Sequence, residues 1–165
     1  MATFHATSAT PLAYVEQIHD STPDLRTVGN RGFEAHTQIG YRPTQEDRLV
    51  LCPSFNRPDA SFFAIFDGTV GDDASHFCQQ NMVRVMLEED GTFISEDIFG
   101  TDLTPDNMDS VSEKICRSLK NTFLKTDQQL IEHCAVHQLH YASSTGVAAF
   151  LWKDLLTVAH VGDSK

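Results

Sequence analysis

No apolar run in the 165 residues approaches the ~20 needed to cross a bilayer as a helix. Basic residues are scarce as well. Lys and Arg number 12 against 23 Asp and Glu, and 12 − 23 leaves a formal charge of −11. Such a surface repels phosphate backbones and anionic lipid, which disfavours nucleic acid and membranes as partners. Its natural counter-ion is a divalent cation. The four cysteines, Cys52, Cys78, Cys116 and Cys134, form no C-x-x-C pair, and three lie in apolar-periodic segments, so free buried thiols are expected rather than disulfides. The stretch MATFHATSATPLAYVEQIHD has neither the basic start nor the apolar block of a secretory signal. Glu16, Asp20 and Asp24 precede the first arginine, Arg26, unlike an Arg-rich mitochondrial presequence. A cytoplasmic or nuclear location is the expectation. What is present, 41% hydrophobic and 21% charged residues, fits one globular domain.

Periodicity divides the chain. Thr10-Pro11 with Leu12, Val15 and Ile18 predicts a short helix in an N-terminal extension over 1–30, and DSTPDL reads as a connector. Two extended segments follow, near 32–39 and 47–52, around a loop from Gly40 to Gln45. SFFAIF is a buried strand by its length and polar flanks. Ala74, Phe77, Cys78, Met82, Val85 and Met86 mark one face of a helix ending near Glu88. Residues 90–106 read as an acidic surface loop. Thr104-Pro105-Asp106 then resembles a cap, a proline at the first helical position and an early acid, before a long helix through Val111, Ile115, Leu119 and Phe123 to at least His133. STGVAAFLW and LLTVAHVG are strands joined by a turn at Lys153-Asp154. Strands segregated from helices predict an α+β layered domain.

Three places combine carboxylates with turn residues at strand ends: RPTQED at 42–47, FDGTVGDD at 66–73 and VGDSK at 161–165. Taken singly, each is fully explained as a turn. As an ordered set they resemble the metal-dependent protein serine/threonine phosphatases of type 2C. Arg42 four residues before Glu46-Asp47, a strand ending in Asp67-Gly68, the SSTGVA strand start and the terminal Val-Gly-Asp-Ser all match that pattern, over about Arg31 to Lys165.

The resemblance implies a layered α-β-β-α sandwich of mainly antiparallel sheets flanked by helices, of which residues 31–165 would be the N-terminal part. Half of such a sandwich would leave an uncovered apolar face and bare strand edges. It further implies a centre of two Mg²⁺ or Mn²⁺ ions, with a third held weakly. Asp67 would bridge the ions, the Gly68 carbonyl would support one, Glu46 would bind directly or through water, and Asp163 would serve the weak ion. Arg42 would clamp phosphate, and a metal-bound hydroxide would hydrolyse phosphoserine or phosphothreonine in protein substrates. Thr69-Val70 departs from the His-Gly usual in the family. That His is the general acid, and Thr cannot donate a proton usefully near neutral pH. Slow turnover is therefore expected, and a catalytically impaired phosphoprotein-binding or regulatory partner is the alternative. An unrelated possibility is a zinc site on the helix HCAVHQLH, with His133, His137 and His140 at i, i+4 and i+7.

Overall fold

A computed structural model describes residues 24–28, 31–35, 37–55, 57–88, 100 and 102–164. The helix expected after Thr10 and most of the 90–106 loop lie outside these residues. In chain order the elements are β1 (Asp24–Val28), β2 (Arg31–Ala35), β3 (Asp47–Cys52), β4 (Ala60–Thr69), α1 (Asp73–Glu88), α2 (Met108–His137), β5 (Ser143–Ser144), β6 (Gly146–Trp152) and β7 (Leu155–Val161). Strands β3-β4-β6-β7 form an antiparallel sheet in that order, with β5 paired to the end of β4. A second, two-stranded sheet consists of β1 and β2.

Side chains alternate across a strand, and here one set meets the helices. Val50 and Cys52 of β3, Ala60, Phe62, Ala64 and Phe66 of β4, and Ala148, Phe150 and Trp152 of β6 pack on Met82, Val83 and Met86 of α1 and on Val111, Ile115 and Leu119 of α2. The side chain of Gln79, almost fully buried, donates to the Leu49 carbonyl at 2.9 Å and ties α1 to β3. The other set faces the opposite way. Leu49, Phe63, Ile65, Val147 and Ala149 line an apolar cavity of about 580 Å³, which Phe33 and Ala35 of β2 partly roof. The Phe33 and Phe63 rings lie 4.8 Å apart. Beyond that roof Ile65, Leu156 and Val158 remain exposed. The α+β class is as expected. Among the described residues the layers are one pair of helices, one five-stranded sheet and the small second sheet.

Several local expectations shift by a few residues. The connector reading ended at Leu25, yet Asp24–Val28 is a strand, because β2 offers it a complete ladder of partners. The long helix starts at Met108 and not at Pro105. Its N-cap is Asn107, whose Oδ1 accepts from the Thr104 N–H at 2.8 Å. Residues 104–107 are thus a turn closed on itself, with the Thr104 carbonyl accepting from the N–H groups of Asn107 and Met108. All four cysteines are free. Cys116 is exposed, contrary to a buried role, since it lies on the outer face of α2. Burial, with the neighbouring Asp127 and Cys134 adding to it, pushes the Cys78 thiol up to about 12.

Candidate metal centre

Strand β4 does not turn at Asp67-Gly68. Both residues lie within the strand, which continues to Thr69. The turn reading therefore fails for this pair, and the chain reverses only at Val70 and Gly71. Antiparallel register places Asp67 directly opposite Asp47, at the entrance of β3. Directly paired residues share a face of the sheet, with Cβ atoms about 5 Å apart. Two carboxylates are thereby pressed together at one sheet edge. Partial burial, followed by the charge of Asp67 and a hydrogen bond with it, raises the Asp47 carboxyl above its ordinary value. Arg48 opposes the rise, and Glu46 adds to it.

Backbone contacts lock this arrangement. The Glu46 carbonyl accepts from the Gly68 N–H at 3.2 Å and from Ser75 Oγ at 2.5 Å. A Cβ on Gly68 would lie 2.7 Å from the Gly71 carbonyl oxygen and 2.8 Å from that of Glu46, so only glycine fits. On the other side of β4 the Thr145 N–H donates to the Asp67 carbonyl at 2.9 Å, and the Asp67 N–H donates to Thr145 Oγ1 at 3.3 Å. Ser144 Oγ also donates to the Asp67 carbonyl, at 3.1 Å.

Contacts tie some of the remaining residues to this pair. Glu46 Oε1 accepts from Thr44 Oγ1 at 3.0 Å. Arg42 is exposed on the loop entering β3, its N–H bonded to the Ile39 carbonyl at 3.3 Å. Asp163 is exposed on the turn after β7. That turn is seated on Thr145: Gly162, at φ +84°, leaves a Cβ no more than 3.0 Å from Thr145 Cγ2, and Ser164 Oγ is 2.6 Å from Thr145 Oγ1. Thr145 is thus the joint that carries the Gly-Asp-Ser turn to the edge where Asp67 sits. Thr69 pairs with Ser143 and is exposed. The sequence singles out Asp47 only as the second acid of the Glu46-Asp47 pair, with no metal role, and assigns Thr145 no role. Their signals were the acid beside Glu46 and the threonine of SSTG, but a partner across a sheet cannot be read from spacing.

The donor set consists of oxygens, which suits hard cations such as Mg²⁺ and Mn²⁺. A pair of carboxylates that repel each other is stabilised by a divalent ion between them, and Mg²⁺ commonly binds through one or two carboxylates while keeping several waters. Among the described residues no three His, Cys, Asp or Glu side chains converge as a ligand group. The carboxylates that the sheet register brings face to face are those of Asp47 and Asp67. The zinc alternative is not realised as conceived. Helix α2 stops at His137, Gln138 turns left-handed at φ 60°, and His140 leaves the helix axis. The His133 and His137 rings stack on each other at 4.1 Å.

Val70 departs from backbone preference. It has φ +60° and is exposed, so no packing compensates a conformation that branched residues avoid. Relief of about 1–2 kcal/mol of left-handed strain, less the ~0.5–1 kcal/mol entropic cost of glycine, predicts that Val70→Gly raises the melting temperature slightly. An unchanged or lower melting temperature would show that Val70 is unstrained.

Residues 31–165 match the family described as Protein phosphatase 2C. A rice protein, "Probable protein phosphatase 2C 2", is 30% identical over 160 residues, which is 93% of this chain and 38% of that protein. "Protein phosphatase 2C 1" of Paramecium tetraurelia is 28% identical over 143 residues, 81% of this chain and 41% of that protein. The crystal structure of serine-threonine phosphatase 2C from Toxoplasma gondii superposes with a TM-score of 0.77 at 31% identity, over 92% of this chain and 48% of that one. The chain spans about two fifths of the length of the curated relatives it matches.

Proposed function

The chain belongs to the protein phosphatase 2C family, and from that membership we propose that it carries the phosphate-binding and first metal-binding elements of a phosphoserine/phosphothreonine phosphatase. The opposition of Asp47 and Asp67 across the β3–β4 ladder is the observation that carries this reading. Asp67, Asp47 and the Gly68 carbonyl would hold a Mg²⁺ or Mn²⁺ ion, with Glu46 beside them and Asp163 serving a weaker one. When bound, the ion supplies Lewis-acid neutralisation of phosphoryl oxygens and makes water more acidic. Arg42 is exposed on the loop entering β3, and its planar guanidinium would orient a phosphate through paired hydrogen bonds. The Thr69 hydroxyl cannot act as an acid toward the departing alcohol near neutral pH. A missing general acid slows turnover by ~10²–10⁴-fold, while leaving ion and phosphate binding intact. The substrates are phosphorylated proteins, met in the cytoplasm or nucleus.

Release of inorganic phosphate from a phosphothreonine peptide, with Mn²⁺ and the 165-residue chain, tests the proposal. Slow release that drops at least about 100-fold in Asp67→Asn is expected, since the substitution removes a charged ligand from a preorganised site. Equal rates for the two proteins would sink the enzymatic reading. Peptide binding without release would favour a phosphoprotein-binding role, to which Thr69 already points.

A further inference from the structure

The strained turn at Val70 is anchored at both ends. Before it, Gly68 is fixed by its N–H bond to the Glu46 carbonyl and by contacts that exclude a Cβ. After it, the Asp72 carboxylate forms an ion pair with Nη2 of Arg48. The same guanidinium uses Nη1 to donate to the carbonyls of Gln45, at 2.9 Å, and Asp47, at 2.7 Å. Its side chain is only 22% exposed. The Asp72 carbonyl accepts from the His76 N–H at 2.8 Å, which starts α1, and Ser75 Oγ lies 3.0 Å from it. One guanidinium thus holds together the entrance of β3, where Asp47 and Glu46 sit, and the far end of the turn that leaves Asp67 and Gly68. Between the anchors Val70 has φ +60° and Gly71 φ +101°, directly after Thr69, which is paired with Ser143 of β5. Left to itself, Val70 would return to the ordinary negative-φ region and drag the turn open.

We propose that the Arg48–Asp72 ion pair is a latch that holds the strained Val70 turn closed and so fixes Gly68 and Asp67 against Asp47. Arg48 and Asp72 are positioning residues in this scheme, acting through the backbone between them. Loss of the latch matters because Val70 pulls against it. The latch is therefore needed much less once the strain is removed, and that coupling distinguishes it from an ordinary surface ion pair, which is worth little wherever it stands. For its effect on ion binding the inference rests on the metal-site proposal, but for its effect on the turn it does not.

Four proteins test it: the wild type, Asp72→Asn, Val70→Gly and the double variant. Asp72 is half exposed, and its carbonyl still caps α1 after substitution, so all four should fold, as circular dichroism would verify. The primary readout is amide hydrogen exchange at Gly68 without metal. Asp72→Asn should speed it about tenfold in the Val70 background and less than about threefold in the Val70→Gly background, a coupling of the size seen between contacting sites. The same pattern is expected in Mn²⁺ affinity measured by calorimetry, with the roughly tenfold weakening typical of lost outer-shell support. Equal acceleration of exchange in both backgrounds, or none in either, overturns the latch. Absence of Mn²⁺ uptake by the wild type overturns the metal-site proposal instead, and the exchange data still decide the latch.

Discussion

Gly68→Ala is expected to destabilise the chain by about 3 kcal/mol, at the upper end of the range for forcing an extra methyl group into a packed interior. The new Cβ would meet the Gly71 carbonyl oxygen at 2.7 Å, the Glu46 carbonyl oxygen at 2.8 Å and Ser75 Oγ at 2.9 Å. Two of these are backbone atoms that belong to the turn and to the entrance of β3, so neither can rotate away as a side chain would. Relief requires either the Gly68 N–H to leave Glu46, at 3.2 Å, or β4 to separate from β3. Each of these moves also separates Asp67 from Asp47. Stability and ion binding should therefore fall together. Gly40→Ala is the control: at φ +62° it meets strain, but no atom lies within 4 Å of its Cβ, and about 1 kcal/mol is the expected cost. Urea unfolding of the two variants measures the contrast. A Gly68→Ala loss no larger than that of Gly40→Ala would mean that the β3–β4–α1 junction is not close-packed.

Asp47→Asn should do the opposite to stability while weakening Mn²⁺ binding at least about 100-fold, since it removes a carboxylate proposed to hold the ion and loss of outer-shell partners alone costs up to about that much. Folding raises the Asp47 carboxyl above its ordinary 3.8 through partial burial and the facing Asp67 charge. The ionised form is thus disfavoured in the folded state. That penalty is fully present above the raised value, shrinks as pH falls through it, and vanishes below 3.8. At pH 7 and without metal, Asp47→Asn should melt at a higher temperature than the wild type, and the advantage should disappear toward pH 3.5, about the bottom of the carboxylate range. The side chain is largely exposed, so screening by water keeps the gain small. Calorimetric titration with Mn²⁺ and melting curves at the two pH values test both halves. A variant that is less stable at pH 7, or one that binds Mn²⁺ as well as the wild type, contradicts the view that Asp47 is a strained carboxylate awaiting a cation.

The same junction shows why some features were legible and others were not. Strands β3, β4, β6 and β7 are readable because their apolar residues must meet a helical layer, and the two helices because Met82 and Met86, or Ile115 and Leu119, fall on one face at the helical period. Strand β1 was not readable, since DLRTV has no apolar pattern of its own and is a strand only through its pairing with β2. The start of α2 was misplaced because Pro105 suits a turn as well as a first helical turn, and Asn107 takes the cap. Val70 was identifiable as a departure from a family pattern, but a valine gives no sign that its φ will be positive. Arg48 and Asp72 are separated by 24 residues, and nothing in their spacing announces an ion pair.

What the amino-acid sequence determines unaided is the core strands and the two helices, the acidic and oxygen-rich chemistry, and the family. Those follow from local periodicity, composition and short motifs, which need no knowledge of what lies across a sheet. Tertiary structure alone decides that Asp67 stands inside a strand facing Asp47, that Thr145 joins the Gly-Asp-Ser turn to the same edge, and that a strained valine is held between two anchors. The reason is register. Side chains alternate with a period of two, so a slip of one residue between β3 and β4 would send the two carboxylates to opposite faces. Burial of Val50, Cys52, Phe62, Ala64 and Phe66 against the helices forbids that slip, and so the apolar core on one face aligns the acids on the other.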